Sequence, residues 1–209
     1  IVGIQGLGLA ETAYQNSLAY ASERKQGKSN NNKDNQTDVI IKHADIRRSL
    51  MNMKSIIEGQ RSLAFWLSQQ VDVSLNHNDE IVRKEANEMV SLMTPVVKSF
   101  FSDMGMEITN EAIQVFGGYG YTRDQGIEQL YRDNRITPIY EGTNSVQAID
   151  LVFRKVLNNR ILDKFVNLIK QEIKDCNGNK ELENFSEILN KKIKILQEFS
   201  KWLDEKFKV

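Results

Sequence analysis

The stretch IRRSLMNMKSIIEGQRSLAFWLSQQVDV, residues 46–73, decides the fold class. Its apolar residues Ile46, Leu50, Met53 and Ile57 are separated by four, three and four positions. Because an α-helix completes a turn every 3.6 residues, this spacing puts the four side chains in one stripe along one helix face. The stretch therefore predicts a long amphipathic helix that buries the stripe in a core.

Helical spacing recurs on both sides of this stretch. An upstream helix is predicted over residues 3–26, and a short one downstream over residues 144–157. Another helix is predicted by five apolar residues at helical spacing: Met89, Met93, Val96, Phe100 and Met104. Pro95 lies inside that stripe, so we expect a kink there rather than a helix end. Together the four segments predict an all-α fold, an up-down four-helix bundle.

Residues 158–209 have a different composition, rich in Lys, Glu and Asn, and form two further apolar stripes. The first stripe is Leu162, Val166, Ile169 and Ile173, and the second is Leu182, Phe185, Leu189, Leu196 and Leu203. Residues 176–179 between them, CNGN, have turn chemistry. We therefore expect a four-helix domain over residues 1–157, followed by a helical extension over residues 158–209 that packs as a hairpin outside the bundle.

Small residues are concentrated near the start of the first helix, at Gly3, Gly6, Gly8, Ala10 and Ala13. The letters GLGLAE at residues 6–11 begin like a dinucleotide-binding fingerprint, but Glu11 replaces the third glycine and almost no strand could precede them. Close packing of this helix against another is the better interpretation.

Composition excludes several classes of protein. Lys and Arg together number 28, as do Asp and Glu, so the net charge is zero and no global field attracts nucleic acid or anionic lipid. No apolar run reaches the roughly 20 residues that span a bilayer. The single cysteine, Cys176, and two histidines exclude an internal disulfide and a zinc cluster, so no metal is expected. These features favour a cytoplasmic protein, and a chain that starts at Ile1 is expected to be a piece of a larger one.

Residues 112–156, AIQVFGGYGYTRDQGIEQLYRDNRITPIYEGTNSVQAIDLVFRKV, depart from the bundle pattern. Five glycines fall in this segment, with Arg123, Arg132 and Arg135 between them. Such glycines allow a flat or anionic ligand to approach the backbone closely, although for Gly117-Gly118 alone a simple turn between helices is the favoured interpretation. The apolar arm ITPIY then leads to Glu141, Gly142 and Thr143, where the threonine is a plausible helix N-cap.

The motifs QVFGGYG, YRD and IYEGT, preceded by YASERKQG at residues 20–27, resemble the C-terminal domain of the acyl-CoA dehydrogenases. The resemblance covers residues 1–156. The RKQG form, the polar loop at residues 29–38 and the basic tail are most similar to the subgroup with 3-methylmercaptopropionyl-CoA dehydrogenase and broad or long-acyl enzymes. The resemblance implies FAD-dependent oxidation of an acyl-CoA thioester to its 2-enoyl-CoA.

Glu141 is the candidate catalytic base. Removing an α-proton from a thioester needs a carboxylate in a dry site, and Ile139 and Tyr140 supply apolar neighbours while Gly142 leaves room for substrate. Tyr140 and Gly142 are therefore candidate substrate contacts. A helix-capping or ion-paired glutamate is the alternative on the residues alone, and the family motif favours the catalytic role. Asp124, Glu128 and Asp133 lie among polar neighbours and are expected to form ordinary ion pairs.

The resemblance also implies a set of FAD contacts. Arg24 and the segment Gln114, Val115, Phe116, Gly117, Gly118 are implied to reach the pyrophosphate and adenosine of an FAD held mainly by a neighbouring subunit. His43 resembles a flavin-contacting position, while Thr143, Asn144 and Ser145 would line the flavin side of the catalytic site. Ser145 stands where the family usually has glutamine. The alternatives are a helix-dipole role for Arg24 and a capping or surface role for His43.

Three functional hypotheses follow. In the first, the chain is part of an acyl-CoA dehydrogenase, a homo-oligomer (dimer or tetramer) that passes electrons to electron-transferring flavoprotein. In this case the chain alone should not turn over, because the other domains of the site are missing. In the second it is a non-catalytic helical dimerisation module, and in the third a redox-silent acyl-CoA binder. Bound flavin absorbance would separate the first from the third.

Overall fold

The computed structural model describes residues 2–29, 36–157, 161–176, 178–179 and 181–207. The α-helices in these residues are α1 Val2–Glu23, α2 Ala44–Asn76, α3 Glu80–Phe116, α4 Gly118–Tyr121, α5 Ile127–Asn134, α6 Asn144–Ile149, α7 Ile161–Asp175 and α8 Glu183–Lys206. Two 3₁₀ turns, Ile40–Lys42 and Arg123–Gln125, and a π-helical segment, Asp150–Leu157, complete the regular structure. No strand occurs in the described part of the chain, so the all-α prediction is confirmed.

The predicted long helices are all present. Residues 46–73 lie within α2, and Leu50, Met53 and Ile57 of their apolar stripe are buried. Pro95 lies within α3, which continues through it to Phe116. The predicted helix at residues 144–157 is divided into α6 and the π-helical segment. Of the polar loop, residues 30–35 lie outside the described residues. No described helix is both long and apolar enough to cross a membrane.

The first of two compact units comprises the described residues up to Gln69 together with Val97–Ser145. Its core is built where α1, α2, α3 and α5 meet, and its most deeply buried apolar side chains come from all four helices. These are Ala10, Ala13, Met53, Ile57, Phe101, Ile108, Ala112 and Ile127.

Helices α1 and α3 approach closely, as predicted from the small residues of α1. A Cβ atom on Gly6 would lie 2.7 Å from the carbonyl oxygen of Phe101, and one on Gly3 would lie 3.1 Å from that of Val97. Gly105 of α3 faces back toward Gly6, whose backbone oxygen would be 2.9 Å from a Cβ at Gly105. The prediction also included Gly8, and for this residue it was wrong. Gly8 is exposed, and a Cβ there would have nothing within 4 Å, because Gly8 lies about 200° around the helix from Gly6.

The second unit comprises Gln70–Val96 and the described residues from Val146 onward. Its α7 and α8 pack together, burying Leu162, Val166 and Ile173 of α7 with Ile193 of α8. The stripe predicted for α7 is confirmed, whereas the one predicted for α8 is mostly wrong. Leu203 is buried, but Phe185, Leu189 and Leu196 are exposed. Apolar residues cover a broad arc of α8, and spacing alone does not say which edge of that arc packs.

The turn between α7 and α8 has the chemistry expected for it. The amide of Asn179 donates to the carbonyl of Cys176 at 3.2 Å, and Gly178 has a φ of 94°. Asn177, part of the same prediction, lies outside the described residues. The boundary predicted between residues 157 and 158 stays a prediction.

Candidate functional site

A cleft of about 350 Å³ lies in the first unit beside the C-terminal end of α1. It is lined by residues from the end of α1, the start of α2 and the end of α3. Six of them are predicted flavin contacts: Arg24, His43, Gln114, Val115, Phe116 and Gly117. The helical fold therefore brings together residues that are up to 93 positions apart in the sequence. Gly118 follows as the first residue of α4 and is not among the lining residues.

The chain is held in place at this cleft by a short antiparallel pairing between residues 24–27 and 38–40. The Gln26 amide donates to the Asp38 carbonyl at 2.9 Å, and the Ile40 amide donates to the Arg24 carbonyl at 2.8 Å. The Asp38 side chain is 5% exposed and accepts hydrogen bonds from Ser29 and Lys42. This clasp fixes the backbone of Arg24 at the end of α1.

Arg24 has the features of an anion-binding residue. Its guanidinium carbon lies 5.1 Å from the centre of the Tyr119 ring, a cation–π arrangement that orients the side chain. Its Nε atom is buried and has no hydrogen-bond partner in the described part of the chain. An unpaired buried donor is costly, so this atom fits a site that an external acceptor, such as a phosphate oxygen, would complete.

His43 also lines the cleft and lies immediately before α2. Its Nε2 atom is 2.8 Å from the carbonyl oxygen of Gln26, which can only accept, so Nε2 carries a proton and donates. Gly27 beside the ring has a φ of 67°, a backbone conformation that favours glycine. The ring is thus held in one orientation with Nδ1 as its remaining polar atom.

The end of α3 also lines the cleft. The Phe116 ring stacks on that of Tyr20 with centroids 4.0 Å apart, which ties the end of α3 to α1. Gly117 then takes a φ of 61° and a ψ of −140°, a combination that favours glycine, and leads from the end of α3 into α4. The Gly117-Gly118 pair is therefore a turn between helices, as the simpler alternative held, and its first glycine also lines the cleft.

The predicted base lies in a separate loop of the first unit, between α5 and α6. The backbone amide of Tyr140 donates to the carbonyl of Ile136 at 3.1 Å. The backbone amide of Asn144 donates to the carbonyl of Pro138 at 3.0 Å. Glu141 has a φ of 50° and is the one non-glycine residue of the described chain with positive φ, and Gly142 follows with a φ of 85°. Because side chains disfavour this region, two successive left-handed residues mark a loop whose conformation the surroundings impose.

Glu141 is exposed in this chain, as are Ile136 and Ile139, which are 50% and 43% exposed. The apolar neighbours that the sequence predicted are therefore present. The dry environment that a strong base needs is not provided by the described residues. Water would have to be excluded by whatever covers this surface.

The side chain of Asn144, at the start of α6, is directed to α3. Its Oδ1 accepts a hydrogen bond from Lys98 Nζ at 2.8 Å, and its Nδ2 donates to Asp103 Oδ1 at 2.7 Å and to Ser102 Oγ at 3.0 Å. Burial lowers the pKa of Lys98, which is only 7% exposed, while the nearby negative charges of Asp103 and Glu141 oppose that shift. The neighbours of Asn144, Thr143 and Ser145, are both exposed.

The other carboxylates of this segment agree in part with the expected ion pairs. Glu128 forms an ion pair with Arg132, whose hydrogen bond lowers the pKa of Glu128. Asp133 instead accepts a hydrogen bond from the Gln129 amide. No group of three or more potential metal ligands occurs in the residues that the structure describes.

Sequence analysis missed three residues near these sites: Asp38, Tyr119 and Lys98. Asp38 and Lys98 are charged residues with exposures of 5% and 7%, so charge in the sequence gave no sign of their burial. A lysine within the apolar run PVVKSFF, residues 95–101, was the one available signal for Lys98.

Comparison with known proteins matches residues 1–156 to the family model described as "Acyl-CoA dehydrogenase, C-terminal domain". A 3-methylmercaptopropionyl-CoA dehydrogenase of Ruegeria pomeroyi is 39% identical over 170 residues, which are 80% of this chain and 29% of that protein. The butyryl-CoA dehydrogenase structure from Megasphaera elsdenii is 31% identical with a TM-score of 0.54, over 72% of this chain and 33% of that one.

One further structure shares the fold of the extension as well. Caenorhabditis elegans ACDH-11, solved in complex with C11-CoA, aligns over 94% of this chain and 31% of its own, with a TM-score of 0.83 and 24% identity. The chain spans less than a third of the length of the curated relatives it matches first.

Proposed function

Because this chain belongs to the acyl-CoA dehydrogenase family through that family's C-terminal domain, we propose that it supplies two parts of a flavin-dependent dehydrogenase. One part is the base that removes the substrate α-proton, and the other is a binding cleft for FAD. The observation that carries the proposal is the cleft of Arg24, His43 and residues 114–117, assembled from distant segments around an unpaired buried guanidinium nitrogen.

Glu141 is the proposed base. Its carboxylate takes the α-proton of an acyl-CoA thioester while the bond between the β-carbon and its hydrogen breaks, and a double bond forms between the two carbons. FAD, when bound, supplies the oxidant that accepts the β-hydrogen with its electron pair. Tyr140 and Gly142 flank the base as substrate contacts. The exposed Ile136 and Ile139 favour an apolar acyl chain at this surface, since its burial would exclude water and strengthen the base.

Arg24 and residues 114–117 are proposed to hold the diphosphate and adenosine portion of FAD. The Arg24 guanidinium, already oriented by Tyr119, would donate its free Nε–H to a phosphate oxygen. The fixed imidazole of His43, which also lines the cleft, would border the cofactor. The family resemblance implies that the cleft serves an FAD held mainly by a neighbouring subunit, and we therefore propose that the enzyme is a homo-oligomer.

Three further features of the proposal come from the family resemblance and, for the location, from the single cysteine of the chain. The natural electron acceptor would be electron-transferring flavoprotein, the location cytoplasmic, and the substrate an acyl-CoA. The extension after residue 157 would form a separate helical region.

The test uses the full-length protein, meaning this chain together with the segments that complete the length of its relatives. Glu141→Gln keeps the shape of the side chain and removes the base. FAD and acyl-CoA should still bind, while flavin reduction under anaerobic stopped flow with butyryl-CoA or octanoyl-CoA should slow at least a hundredfold to ten-thousandfold. Glu128→Gln, which alters an exposed ion pair of the same segment, is the matched control.

A Glu141→Gln enzyme that bleaches its flavin within a few-fold of the wild-type rate would place the base elsewhere. A wild-type protein that purifies with FAD but is reduced by no saturated acyl-CoA would favour the non-catalytic alternatives.

A further inference from the structure

The loop that carries Glu141 is held at one point by a buried charge. Asn144 closes the loop through its backbone amide, and its side chain is fixed to α3 by Lys98, Ser102 and Asp103. Of these partners, Lys98 and Ser102 are buried, at 7% and 0% exposed. The loop is therefore anchored to buried residues of α3 as well as by its own backbone hydrogen bonds.

Burying an ammonium group is expensive, and proteins normally compensate with a carboxylate at ion-pair distance. Within the described residues Lys98 has no such partner, and its Nζ instead donates to the neutral oxygen of Asn144 at 2.8 Å. A methionine of similar volume would satisfy packing at this position without that cost. The placement of the charge therefore needs a reason beyond stability.

The backbone of the loop provides that reason. Glu141 at a φ of 50° and Gly142 at 85° form a conformation that a free loop would leave. The pair of Asn144 bonds, one to Pro138 within the loop and one to Lys98 on α3, opposes relaxation of the residues between them. The direction in which the Glu141 side chain leaves the backbone is thus coupled to the ammonium of Lys98.

We propose that Lys98 is a positioning residue: through Asn144 it fixes the left-handed conformation of Glu141 and so aims the carboxylate at the substrate α-carbon. The inference rests on the proposed function of Glu141. It assigns Asn144 a role that its sequence-based assignment as a flavin contact did not include, because both polar atoms of its side chain are engaged with α3.

The experiment replaces Lys98 by methionine in the full-length flavoprotein. A misplacement of about 1 Å costs on the order of a hundredfold in rate, so the rate constant for flavin reduction by octanoyl-CoA should fall about a hundredfold. FAD content and the Kd of the product, 2-octenoyl-CoA, should stay within threefold of wild type. Lys155→Met is the matched control, since Lys155 also donates from a partly buried position to a hydroxyl of α3, Ser91 Oγ at 2.6 Å.

A second measurement, hydrogen exchange, detects how firmly Lys98 holds the loop and does not require catalysis. Hydrogen exchange of the peptide covering residues 136–145 should accelerate at least tenfold in Lys98→Met, because the amides of Tyr140 and Asn144 lose their protected geometry. Peptides from the buried part of α3 should be unchanged. In an Asn144→Ala background, Lys98→Met should slow flavin reduction no further, since the two residues act in series.

Each outcome decides the question. Reduction by Lys98→Met within twofold of wild type, a loss explained by missing FAD or weaker ligand binding, or unchanged loop exchange would overturn the positioning role. If the Lys98→Met protein does not fold, the Asn144→Ala protein is tested instead. It should show the same slower flavin reduction and the same faster hydrogen exchange of residues 136–145. If wild-type protein is not reduced by any acyl-CoA, the proposed function fails, and the exchange experiment still judges the anchor.

Discussion

Replacing Gly6 by alanine should destabilise the first unit, whereas replacing Gly8 should stabilise it. Both glycines lie inside α1, and alanine is favoured over glycine in a helix by about 0.8–1 kcal/mol. At Gly8 nothing lies within 4 Å of the new Cβ, so that gain should be realised in full. At Gly6 the Cβ would lie 2.7 Å from the Phe101 oxygen and 3.1 Å from Ser102 Cα, both backbone atoms that rotamer changes cannot move.

The magnitude follows from comparing the two variants. The helix-propensity gain is common to both and cancels, so the difference in the free energy of unfolding measures the overpacking cost alone. Such costs are about 1–3 kcal/mol, and α1 would have to move away from α3 to relieve this one. At a typical urea dependence of about 2 kcal/mol per molar, the unfolding midpoints should differ by roughly 0.5–1.5 M.

Urea unfolding followed by circular dichroism, with wild-type protein alongside, measures the difference. A Gly6→Ala protein with a midpoint at or above that of Gly8→Ala would refute the reasoning. It would mean that α1 does not pass as close to α3 as the structure has it.

Two further predictions concern the functional residues. In urea unfolding, the Glu141→Gly variant should be more stable than the Glu141→Ala variant by about 1 kcal/mol. Both variants lose the same side-chain contacts, but only alanine keeps a Cβ at a φ of 50°. Equal stabilities of the two variants would contradict an imposed left-handed conformation. Arg24→Ala in the full-length protein should lower the ratio of flavin to protein absorbance after gel filtration. Arg132→Ala, which replaces an exposed arginine of the same unit, should leave this ratio unchanged. Full flavin content in the Arg24→Ala protein would contradict a role for Arg24 in the cofactor site.

Local patterns in the sequence predicted the helices, which the structure confirms, and named the candidate site residues, whose roles stay a prediction. The spacing of apolar residues in α2 and α7 follows from helix geometry, which is a property of neighbouring residues, and both stripes are buried as predicted. The Gly-rich segment and the IYEGT motif likewise carry their chemistry in contiguous letters, so Glu141 and residues 114–117 could be named without a structure. The match of residues 1–156 to the family model is consistent with the family resemblance seen in these motifs, because a family motif is itself a local pattern.

Tertiary structure decided what depends on distant segments. Spacing could not choose which edge of the broad apolar arc of α8 packs, nor tell Gly6 from Gly8, because both depend on where a neighbouring helix lies. Arg24 acquires its unpaired nitrogen, and Lys98 its buried bond to Asn144, only when helices far apart in sequence are brought together. Desolvation and hydrogen-bond geometry are properties of that packing, and a residue's letter and its neighbours in the chain do not contain them.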